Sequence, residues 1–81
     1  MFSHLIDLWK RQMNDYINEI FYLNIFSRDE LSTFEPGYRR RAEQMIQIQI
    51  SILTLKIHYI QNKIKFYENY NSNNIRYVDN T

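Results

Sequence analysis

Residues 45–67 read MIQIQISILTLKIHYIQNKIKFY, and two periods compete in them. Ile46, Ile48, Ile50 and Ile52 alternate with Gln47, Gln49 and Ser51, which is the pattern of a half-buried strand. Ile46, Ile50, Leu53, Ile57, Ile60, Ile64 and Tyr67 also follow one another at steps of four and three, the pattern of one helix face. Length and punctuation decide between the two. Strands commonly run about 3–10 residues, and between Gln44 and Gln61 no Gly, Pro, Asp or Asn-Gly offers a hairpin turn. The segment is a helix, expected over residues 38–70. The alternation is what two neighbouring seams look like when written on one line.

The second seam is Tyr38, Met45, Ile48, Ile52, Leu55, Tyr59 and Phe66, rotated from the first by roughly 130° at about 3.6 residues per turn. Gln49, Lys56 and Lys63 lie between the seams. Gln47, Ser51, Thr54, His58, Gln61 and Lys65 make the opposite, polar stripe.

Upstream, Phe2, Ile6, Trp9, Met13, Tyr16, Ile20 and Leu23 step by four and three, widened by Leu5 and Ile17. This predicts a first helix over residues 3–26, with Ser3 able to cap its early N–H groups and Asp7 placed to pair with Arg11. Its last turns are apolar nearly all round, so Phe21, Tyr22, Ile25 and Phe26 point away from the main stripe and need another cover. The connector, residues 27–37, carries Ser27-x-x-Glu30 and Ser32-x-x-Glu35, each with capping-box spacing. A one-turn helix is expected near residues 28–33, then a bend at Pro36-Gly37 with glycine at positive φ. Residues 71–81 read as a polar, Asn-rich tail with a short apolar run at Ile75, Tyr77 and Val78.

The expected fold is therefore all-α: an antiparallel hairpin of two long helices and a short connecting helix. Charge fits it. Residues 1–35 hold three basic side chains against six acidic ones, and residues 36–66 hold six basic ones against Glu43 alone. An acidic first helix can lie against a basic second one.

One hairpin partner covers one seam only. Leaving the large side chains of the other wet forgoes on the order of 10 kcal/mol of burial, against a typical domain stability of ~5–15 kcal/mol. Two copies pairing into a four-helix bundle, or a different protein filling the groove, would cover it. The other route is self-coverage by connector and tail, through Phe34, Ile75, Tyr77 and Val78. An 81-residue chain without cysteine has no disulfide or thiolate zinc staple, which adds to the case for association.

Other chemistries find little footing. Arg39, Arg40 and Arg41 beside Tyr38, with Lys56 and Lys63, form the alternative reading, a nucleic-acid site; consecutive helical residues point about 100° apart, so the arginines fan around the axis. Two histidines and no cysteine give no metal-ligand pattern. The single glycine, Gly37, excludes a Gly-rich phosphate loop, and no nucleophile-elbow pattern exists. No catalytic residue, cofactor or metal is expected. Nothing resembles a signal peptide or a membrane-spanning run, and the polar side of the first helix is too acidic for a membrane-surface helix. The expectation is a cytoplasmic protein that binds itself, as a homodimer, or another protein. Its surface is the second seam, with Phe21, Tyr22 and Phe26 as an extension. Abundant Ile and Asn, whose codons are AT-rich, point to an AT-rich genome.

Overall fold

The computed structural model describes the backbone of residues 3–79 and the side chains of residues 3–70. Helix α1 spans Ser3–Asp29, a 3-10 turn spans Leu31–Thr33, and helix α2 spans Pro36–Asp79. The two helices run antiparallel as a hairpin 68 Å long and 15 Å by 13 Å across. The strand reading of residues 45–67 is excluded: the four-three period is the real one.

Packing follows the first seam. Ile46, Leu53, Ile57, Ile60 and Ile64 of α2 are buried, and Ile50 and Tyr67 are half-buried. Opposite them α1 buries Ile6 and half-buries Trp9, Met13, Tyr16, Ile20 and Leu23 of the stripe read from its spacing; Leu5 and Ile17 are exposed at its edge, and Phe2 lies outside the described residues. Lys10 Nζ meets Glu68 Oε1 at 3.3 Å, and the Trp9 and Tyr67 rings lie 5.3 Å apart. Lys56 Nζ stands 5.5 Å from the centre of the Tyr16 ring. These pairs place the start of α1 beside residues near Tyr70, so α2 continues past it. At ~1.5 Å per residue, α1 is about 40 Å long and α2 about 66 Å.

The connector differs from its expected form. α1 runs on through Asp29, with Ser27 half-buried inside it, so Ser27 caps nothing. The 3-10 turn closes through Thr33 N–H to Glu30 O (3.1 Å) and Phe34 N–H to Leu31 O (3.1 Å). Ser32 Oγ donates to Asp29 O at 3.4 Å and Thr33 Oγ1 to Glu30 O at 2.7 Å. These hydroxyls satisfy carbonyls at the end of α1 instead of amides at a helix start, and neither capping box forms. Leu31, fully shielded from solvent, plugs the closed end of the hairpin.

Phe34 is extended, at φ −83° and ψ 155°. Pro36 then occupies the first position of α2, where its missing N–H costs nothing and its fixed φ is already helical. Arg39 N–H donates to Glu35 O at 2.8 Å as the first bond of the helix. Gly37 lies inside that first turn without a positive φ, so no type II turn is present. The reversal is made by Leu31–Glu35, ahead of the Pro-Gly pair. Asp7 and Arg11 do not pair; the ion pairs among the described residues are Lys10–Glu68, Arg28–Asp29 and Arg39–Glu43.

Candidate protein-binding surface

The second seam lies open along α2. Tyr38, Met45, Ile48, Ile52, Leu55, Tyr59 and Phe66 all remain exposed, from 42% for Ile52 to 71% for Met45. The cause is geometric. With Ile46, Leu53, Ile57, Ile60 and Ile64 turned toward α1, residues roughly 130° around the axis point past α1's edge. The helix backbone continuing to Asp79 does not turn back over them. Phe34 does not cover them either: its ring stands edge-on to Phe26 at 6.3 Å and 86°. The side chains of Ile75, Tyr77 and Val78 lie outside the described residues.

Between the seam and α1 runs a groove of about 400 Å³. Trp9, Gln12 and Tyr16 form its α1 wall; Leu55, Lys56, Tyr59, Ile60 and Lys63 form its α2 wall. Lys63 Nζ sits 4.8 Å from the Trp9 ring centre and 5.1 Å from that of Tyr59, a cation between two aromatic faces. The stripe between the seams is thus employed in the hairpin: the ammonium groups of Lys56 and Lys63 lie over the Tyr16 and Trp9 rings of α1. Tyr67 joins the two seams, touching Trp9 on one side and meeting Phe66 edge-on at 5.3 Å on the other.

The extension is brought together only in part. Phe26 reaches the seam through Phe34, which shares a depression of about 270 Å³ with Glu35, Tyr38 and Ala42. Phe34, named in the sequence only as a residue that could cover the seam, therefore belongs to this surface. Tyr22 shares a depression with Phe26 and Leu23, whereas Phe21, 6.1 Å from the Tyr22 ring, points to the other side of α1 from Phe26. Five residues separate Phe21 from Phe26, or about 140° around the axis.

The basic residues are dispersed. Arg39 pairs with Glu43 at 3.9 Å, Arg40 lies beside Glu43 and Gln47, and Arg41 shares a depression with Glu35 and Tyr38. Lys56 and Lys63 begin 15 residues further on, about 22 Å along the axis. Arg28 and Asp29 form an exposed pair at the end of α1 (2.8 Å); the hydrogen bond from Arg28 lowers the pKa of the Asp29 carboxyl and raises that of the guanidinium. Among the described residues no three His, Cys, Asp or Glu side chains converge, and no helix is long and apolar enough to cross a membrane.

Compared with known proteins, the chain matches no family model, no curated protein and no solved structure.

Proposed function

We propose that this chain is a small, non-enzymatic, intracellular protein-binding module, an adaptor, assembly subunit or inhibitor that works by docking the α2 seam against another protein surface. One observation carries the reading. Seven large side chains at heptad positions stay 42–71% exposed on a helix whose other seam is buried. Contiguous apolar patches of this kind mark interaction sites on folded proteins. Met, Tyr and Phe, which make up four of the seven, are the residues enriched at interface centres.

The nucleic-acid alternative gains less from the structure. Its arginines and lysines stand in separate places, and Lys56 and Lys63 are engaged over aromatic rings. A salt titration separates the two. Phosphate binding weakens steeply as salt rises because counterions are released, whereas docking through the seam changes little.

The direct test is Ile52→Lys combined with Tyr59→Lys. Buried in an interface, each lysine costs about 2 kcal/mol or more, so association falls at least ~100-fold. Both positions face solvent in the isolated hairpin, so far-ultraviolet circular dichroism stays helical. Normal association by the double variant refutes the assignment of this surface.

A further inference from the structure

We infer that the partner of the α2 seam is a second copy of this chain, lying antiparallel, with a two-fold axis crossing α2 near Ile52. The inference rests on the docking reading above and names its occupant.

The first support is the order of residue types along the seam. Adding the two polar residues that complete its four-three steps, it runs Tyr38, Arg41, Met45, Ile48, Ile52, Leu55, Tyr59, Asn62, Phe66. The outermost residues are aromatic, the next pair inward is polar, then come two large flexible or aromatic side chains, then two aliphatic ones about a central Ile52. The sequence of types is the same from either end. A two-fold, antiparallel interface needs this property, because each residue meets the mirror position of the other copy. Apolar layers then face apolar layers along the middle, and polar positions coincide with polar positions toward both ends. An unrelated partner imposes no such symmetry.

Charge selects the antiparallel direction. A parallel pairing sets Arg41 against Arg41 at one level, at like-charge cost. The antiparallel pairing moves the two Arg41 side chains about 30 Å apart at ~1.5 Å per residue. It leaves Arg41 near the Lys63 of the other copy, where Glu35 shares the depression of Arg41 and two rings already hold Lys63.

Area is adequate. Seven side chains this exposed leave on the order of 100 Å² each to cover, so two copies bury about 1,400 Å², within the ~1,200–2,000 Å² of stable specific interfaces. The first seam holds α1 roughly 130° away, so the two α2 helices meet in the middle with an α1 on each flank. This gives a four-helix arrangement whose polar stripes face outward.

The chain has no cysteine, so single labels can be placed at will. Ser51→Cys and Asn69→Cys lie on the exposed side of α2, outside the seam. Each carries a spin label in the full chain, and pulsed electron resonance measures the distance between copies, beside light scattering for mass. The inference expects a dimer with labels within about 20 Å at position 51 and about 50 Å apart at position 69. Short distances at both positions mean a parallel pair and overturn it. A monomeric mass at 100 µM or so also overturns it. In that case the docking reading is judged separately. Capture of a host protein by the parent chain, lost in the Ile52→Lys, Tyr59→Lys variant, leaves that reading standing without the second copy. No capture removes both.

Discussion

At the scale of single residues, two side chains hold the hairpin in ways that can be measured. Leu31 is the plug at the closed end, with none of its surface exposed. Its truncation removes buried methyl groups and opens a void that the short connector closes only in part. Leu31→Ala is expected to cost about 2–4 kcal/mol, read as a lower denaturant midpoint with the slope unchanged. Lys63 is held between Trp9 and Tyr59, and Trp9 is the single tryptophan. Lys63→Ala loses a cation–π contact worth about 0.5–1 kcal/mol and changes the emission of Trp9. Unchanged emission and stability would show that the lysine is a bystander. The exposed Arg28–Asp29 pair marks a contrast. The carboxyl is lowered by its hydrogen bond, so any stability it lends is present above the ordinary Asp value of ~3.9 and lost as pH falls through the lowered one. Stability between pH 5 and 8 therefore owes this pair no slope.

At the scale of elements, the helices were legible and their ends were not. Ile46 to Tyr67 at four-three steps and the absence of turn residues identify α2, and the Ile6 to Leu23 stripe identifies the face of α1 that meets it. The open seam was legible too, because a second line of large apolar residues rotated by 130° cannot reach a single neighbour. The connector was not, since a Ser-x-x-Glu spacing serves a helix start and a helix interior alike. Ser27 went to the interior once Leu31 supplied a better stop by burying itself. Pro-Gly was equally ambiguous: proline suits the second place of a turn and the first place of a helix. Gly37 took an ordinary helical conformation, and a Cβ built there meets nothing within 4 Å. Gly37→Ala is accordingly expected to stabilise the hairpin by about 0.5–1 kcal/mol, seen as a raised melting temperature. A loss of stability would restore the tight turn. Phe34 was the part of the surface that spacing along a helix could not reveal, because it sits in extended chain and joins Phe26 to Tyr38 only in three dimensions.

At the scale of the whole molecule, the hairpin is a 68 Å rod with one buried seam and one open seam. α2 is the spine, α1 covers one flank, and the groove between them is already filled at its edge by Lys56 and Lys63. What is left for a partner is the line from Tyr38 to Phe66. The measurement that bears most directly on this is hydroxyl-radical footprinting of Met45 and Tyr59 across a dilution series, with the mass followed by sedimentation. Heavy oxidation of both in the dilute monomer, and protection as the chain associates, is the predicted result. A monomer in which Met45 and Tyr59 are shielded at every concentration would mean the chain covers its own seam, and the binding surface described here would not exist.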